Sequence, residues 1–159
     1  MNIFYLDSSA VQSAKMHCDK HCVKMILETA QLLSTAHRVL DGDEYADDAG
    51  LYKSTHKNHP SAVWVRQSWA NYEWTYNLLV ALCNEYTQRY NKTHKTANLI
   101  DALGHHPESI PHGYFTEPPQ CMPDEYKDQC TVTAYRQYYL GEKMYMAKWN
   151  HCGTPEWVV

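Results

Sequence analysis

Ser61-Ala62-Val63-Trp64-Val65-Arg66-Gln67-Ser68-Trp69-Ala70-Asn71-Tyr72-Glu73-Trp74-Thr75-Tyr76-Asn77-Leu78-Leu79-Val80-Ala81-Leu82-Cys83-Asn84-Glu85-Tyr86-Thr87-Gln88-Arg89-Tyr90 sets Ala62, Val65, Trp69, Tyr72, Tyr76, Leu79, Cys83, Tyr86 and Tyr90 at alternating steps of three and four. Side chains so spaced share one face of a helix with 3.6 residues per turn, so the stretch predicts a long helix beginning at Pro60 or Ser61. Proline suits a first helical turn, and Asn58 or His59 can cap it. Upstream, Val11, Ala14, Cys18, Met25, Thr29, Leu32 and Ala36 recur at steps of three, four or seven. They predict another long helix over residues 9–40, capped by Asp7, Ser8 or Ser9 and stopped by Asp41-Gly42.

Between the two helices, residues 41–50 hold Asp41, Asp43, Glu44, Asp47 and Asp48 and read as a solvated loop. A shorter helix is expected within 96–103, ending at Gly104. Residues 105–130 contain Pro107, Pro111, Pro118, Pro119 and Pro123, too long a stretch for a simple connection and suited to a binding loop or lid. Thr131 or Thr133 can cap a last helix carrying Tyr135, Tyr138, Tyr139, Tyr145, Met146 and Trp149, and Pro155 closes helical structure. The expected architecture is all-α: one compact domain over 1–159 with two long helices, a C-terminal helix and a long Pro-rich loop.

A chain of 159 residues can bury roughly 70% of its unfolded surface, so it needs neither a metal nor a disulfide to fold. Thirteen Tyr and five Trp against two Phe supply side chains with an apolar body and a polar tip, fit for a core, a pocket wall or a homodimer interface. No apolar run approaches the roughly 18 residues of a membrane span, and the N-terminus lacks a secretory pattern, which points to the cytoplasm and to six cysteines kept as thiols. The net charge of −4 disfavours a protein that grips duplex DNA through its phosphates.

Four constellations can carry chemistry. On the first helix His17, His21, Lys24, Glu28 and Gln31 form a polar line beside the apolar stripe, with Lys20 adjacent. Such a row suits a phosphate or a nucleobase; a solvated helix face is its bland counterpart. The segment His17-Cys18-Asp19-Lys20-His21-Cys22 holds paired imidazoles and thiols four apart, but a structural zinc needs four ligands, and buried small cysteines explain the pattern better. Lys53, His56, Lys57, His59 and Arg66 surround a helix start, where free N–H groups favour an anion. Late in the chain, Tyr135-Arg136-Gln137-Tyr138-Tyr139 interleaves aromatics with an arginine, able to stack on bases and hold phosphate or simply to fill a core. No glycine-rich phosphate loop, GxSxG, HExxH or CxxC pair is present, and no cofactor is implied.

The short apolar N-terminus, the long helix, the run Tyr52-Lys53-Ser54-Thr55-His56-Lys57-Asn58-His59-Pro60, the second helix ending in Glu85-Tyr86-Thr87-Gln88-Arg89-Tyr90 and the late Tyr135-Arg136-Gln137-Tyr138-Tyr139 together resemble the pyrimidine-dimer DNA glycosylases of the phage endonuclease V type. The pattern around His17-Cys18-Asp19-Lys20-His21 is similar to that of small phage proteins. The resemblance implies a short N-terminal strand, a compact all-helical fold, a phage origin within a host cytosol and, for an enzyme, an N-terminal amine that forms a Schiff base with a DNA sugar, helped by a glutamate on the first helix. Asn2 is too large for efficient removal of the initiator, so that amine would belong to Met1. The glutamate position falls near His21-Cys22, leaving Asp19 or Glu28 as the nearest carboxylate. These departures favour binding over catalysis. The resulting expectation is a pocket of His17, Lys20, His21, Lys24, Glu28, Lys57, His59, Arg66, Trp69, Arg136 and Tyr138 that holds a phosphorylated nucleotide, in a counter-defence protein that sequesters an immune signal without cleaving it. The alternative is a DNA glycosylase and AP lyase.

Overall fold

The computed structural model describes residues 2–159. Seven α-helices succeed one another: α1 Ala10–Met16, α2 Asp19–Asp41, α3 Glu44–Asp48, α4 Pro60–Val65, α5 Trp69–Tyr90, α6 Ile100–Leu103 and α7 Thr131–Tyr138. A 3-10 turn, Lys95–Leu99, leads into α6, and α7 continues as a π-helical turn, Tyr139–Lys143. The fold is all-helical, as the periodicity predicts. No β-strand occurs among the described residues, so Ile3–Leu6 is a buried irregular segment, turned at Tyr5 by a Leu6 N–H to Phe4 carbonyl hydrogen bond, and not the implied strand. None of the described helices is long and apolar enough to cross a membrane.

The helix expected over 9–40 is two helices, and the reason is local. The buried His17 ring donates from Nδ1 to the carbonyl of Ser13, the acceptor that the backbone N–H of His17 would use in a continuous helix. That N–H turns to Ala14 instead, and His17 and Cys18 become extended. The carbonyls freed at the break need partners. Arg89 of α5 donates to the carbonyls of His17 and Lys15, and Trp149 Nε1 to that of Met16. The backbone N–H of Asp19 donates to Lys148, so the junction is closed by the C-terminal segment.

The second long helix is likewise split. Ser68 caps α5 by accepting from Asn71, while the Asn71 amide donates to the Trp64 carbonyl that the break releases. Asn71 is 1% exposed and also exchanges two hydrogen bonds with Thr116, fastening the Pro-rich segment across the gap. Replacing Asn71 with alanine is expected to cost about 1–3 kcal/mol by leaving the Thr116 backbone N–H without its acceptor. Hydrogen exchange should quicken at Thr116 and stay unchanged in α2.

The acidic segment is organised rather than loose. Arg38 inserts between α2 and α3, pairs with Asp43 and Asp47 and donates to the carbonyls of Leu51 and Tyr52, which converts the expected loop into α3. Residues 105–130 are irregular as expected, apart from a 3-10 turn at Asp124–Tyr126, and are anchored by the buried Ile110 and Pro118. The last helix stops short of its expected length, since Met144 to Trp149 follow the π turn without regular structure. Gly141 lets the Tyr126 ring lie against this turn, where a Cβ would displace it.

Much of the tyrosine excess fills the core. Tyr72, Tyr135 and Tyr139 are the largest fully buried side chains, and their hydroxyls are paired with Leu103, Pro119 and Cys18 or His21. Residues from both ends of the chain share one apolar cluster, with α5 lying against α1 and α2.

Candidate functional site

The N-terminal segment is buried against α1 and the first turn of α2. Leu6 and Phe4 hydrogen-bond to Ser13, ahead of α2, and the Phe4 ring stacks on His21, in the first turn of α2, at 4.4 Å. Asn2 is held farther along. Its amide donates to the carbonyl of Cys121, and its side-chain oxygen accepts from the Tyr135 hydroxyl. Cys121 in turn meets Ser61 in the first turn of α4. Asn2 is therefore tied to α7 and to the Pro-rich segment, which itself meets α4. Met1, the candidate nucleophile, lies outside the described residues.

Two carboxylates on α2, Asp19 and Glu28, are the candidates for a proton-handling role, and their surroundings separate them. Asp19 accepts from the Asn150 backbone through one oxygen and pairs with Arg89 at 3.3 Å through the other, which commits it to the α1–α2 junction. Glu28, 15% exposed at its side chain, has Oε2 shielded from solvent, with Lys24 Nζ at 3.7 Å. A carboxylate half withdrawn from water beside an ammonium group can hold or pass a proton.

The polar line predicted on the first helix is broken by burial. His17 is 0% and His21 6% exposed. Burial, with Arg89 nearby, pushes the His17 imidazole down to about 4 against the pull of its Ser13 hydrogen bond. Burial and the positive charges of His17, Lys143 and Lys24 push His21 down to about 3. The Tyr139 hydroxyl ties His21, through Nδ1, to Cys18. Both rings are neutral near pH 7, so neither offers the positive charge assigned to it for phosphate. Their shifts make an acid-stability prediction. A histidine whose folded pKa is depressed protonates more readily when unfolded, so its contribution is intact above pH 6.5 and drains away as pH falls toward 4. Stability should drop by about 1.4 kcal/mol per pH unit for each histidine in that window, measurable by urea titration at several pH values.

The remaining predicted residues are dispersed in role. Lys20, Lys24 and Lys57 are exposed. His59 caps α4 by accepting from the Ser61 N–H, and burial holds its pKa below the ordinary value. Arg66, at the end of α4, is partly buried and has Nη1 shielded with no hydrogen-bond partner; burial lowers its pKa. Trp69 is 42% exposed and meets His106 edge-on. Arg136 is occupied by the Leu6 carbonyl, Asp7 and the face of Trp157, an anchor for the N-terminal segment rather than a free cation. Tyr138 carries Lys143 over its ring at 5.0 Å and parallels Phe4. Asn2, Phe4 and Ser61 were not legible as contact residues here, because what they meet lies far along the chain, Tyr135 standing 133 positions from Asn2.

Cys18 and Cys22 are fully buried, and burial pushes the Cys22 thiol up to about 12. Among the described residues no three His, Cys, Asp or Glu side chains are grouped to hold a metal ion.

No match was found among curated proteins or among solved structures. A family model does match: pyrimidine dimer DNA glycosylase, over residues 1–98, which takes in Asn2, Glu28, His59, Arg66 and the whole of α5. The helical fold and this match over more than half of the chain lead to one conclusion: the chain belongs to the pyrimidine dimer DNA glycosylase family.

Proposed function

We propose that the protein acts on damaged DNA as a glycosylase and AP lyase, with the α-amine preceding Asn2 as nucleophile and Glu28 as the proton-handling group. The observation that carries this reading is the family match, within which the Phe4 ring of the buried N-terminal segment stacks on His21, two turns ahead of Glu28 on α2.

In the reaction, the amine nitrogen bonds to the sugar carbon as the bond to the base breaks, the base leaving with a proton. Loss of a proton from nitrogen and opening of the sugar give the Schiff base. Glu28 is suited to receive and return these protons. Arg66, with a shielded nitrogen that has no acceptor, would supply a phosphate contact.

Borohydride reduction in the presence of duplex DNA bearing an abasic site tests this directly. A covalent adduct with the mass of protein plus DNA, joined at the N-terminal residue, is expected. No adduct and no affinity for that DNA at moderate salt would refute it. The same unpaired Arg66 nitrogen and the net charge of −4 favour a second reading, sequestration of a phosphorylated nucleotide by a phage counter-defence protein. An intact nucleotide released on denaturing the purified protein would select that reading over the first.

A further inference from the structure

Residues 111–116 of the Pro-rich segment cross the α4–α5 break and are fastened there on both sides of one side chain. The Trp69 N–H donates to the Pro111 carbonyl at 2.8 Å, and the Ser68 hydroxyl to the Tyr114 carbonyl at 3.4 Å. Thr116 exchanges hydrogen bonds with Asn71 and accepts from Trp64 Nε1. Gly113 comes so close to α5 that a Cβ on it would stand 3.2 Å from that of Ser68. Phe115 turns inward, with Tyr5, Trp64 and Trp74 around its ring. Tyr114, between these anchors, is 94% exposed. Its ring adds nothing to the core, yet it stands on a fixed stem, so little backbone freedom is lost when the ring enters a partner.

The surroundings point to the partner. Arg66 closes α4 two residues before Ser68, and its Nη1 has no hydrogen-bond partner. From Thr116, which meets Trp64, to Cys121, which meets Ser61 and holds Asn2 through its carbonyl, the segment follows α4. The six residues of α4 span about 9 Å, and duplex DNA rises about 3.4 Å per base pair, so the two ends of α4 fall within a few base pairs of each other.

We propose that the Tyr114 ring is a wedge that enters the base stack of a damaged duplex, filling the gap from which the reacting nucleotide has left, while Arg66 takes a neighbouring backbone phosphate. The proposal rests on the DNA reading above and narrows its substrate to the duplex. A protein that works on a nucleotide inside a duplex must first take it out of the stack, at the cost of its stacking. An inserted apolar side chain holds the opened step, and a tyrosine ring restores part of the stacking lost.

Borohydride trapping on abasic DNA, run in parallel on the duplex and on the single strand, provides the test with Tyr114→Ala and Tyr114→Phe beside the unaltered chain. On the duplex, Tyr114→Ala should trap about tenfold or more slowly at subsaturating protein, the worth of one ring stacked on a base, while Tyr114→Phe keeps the rate. On the single strand, which has no closed stack to open, all three should trap alike. Their melting temperatures should agree, since the ring lies outside the core. Failure of the unaltered chain to trap either DNA would refute the DNA reading and the wedge with it. Trapping of the single strand alone, or a duplex rate unchanged in Tyr114→Ala, would overturn only the wedge. So would a loss equal on both DNAs, or one shared by Tyr114→Phe.

Discussion

Arg89→Met is expected to destabilise the protein by about 3–5 kcal/mol, because it strands buried carboxylates rather than merely deleting a contact. The Arg89 side chain is 1% exposed and pairs with Glu85 at 3.1 Å and Asp19 at 3.3 Å, whose side chains are 10% and 13% exposed. It also donates to the carbonyls of His17 and Lys15 at the α1–α2 break. Methionine fills comparable volume yet supplies no donor, so two acids and two carbonyls lose their partner together. Lysine should recover only part of the loss, since one ammonium group cannot span acceptors that a planar guanidinium reaches at once. Urea unfolding would measure the difference. A loss below about 1 kcal/mol would mean that water can replace the guanidinium at this junction, contrary to its burial.

Glu28→Gln should reduce single-turnover base excision and borohydride trapping by about 10²–10⁴-fold, the usual range for loss of a general acid or base. The amide preserves shape while removing the titrating oxygen. Asp19→Asn provides the contrast: it should lower the melting temperature by weakening the contacts to Arg89 and Asn150, while excision by the folded fraction continues. If the two variants exchange behaviour, Asp19 is the proton-handling group and Glu28 a structural one. If both retain full activity, neither carboxylate serves the chemistry.

The helices were legible in the sequence wherever a face of the helix is its own specification. The stripe from Trp69 to Tyr90 became α5, and Pro60 and His59 marked the start of α4 as expected. The breaks were not legible, because Arg66-Gln67-Ser68 and His17-Cys18 contain neither glycine nor proline. Each depends on a side chain that takes over a backbone group: Asn71 accommodates the released Trp64 carbonyl, and the His17 ring occupies the Ser13 carbonyl. Local spacing likewise placed His21 on a polar line, but its stacking on Phe4 and its bond to Tyr139 arise from segments far apart in the chain. For the site, both α2 carboxylates could be named from the sequence. Choosing between them required the position of Arg89, 70 residues from Asp19.

The α1–α2 junction also bears on what the family match means. Residues 1–98 carry the similarity, yet the junction inside them is closed by Lys148, Trp149 and Asn150, and the N-terminal segment is held by Tyr135 and Arg136. The matched stretch is therefore a unit of descent without being a unit of folding. A chimera cut at its boundary would inherit the signature while opening the joint from which α2 departs.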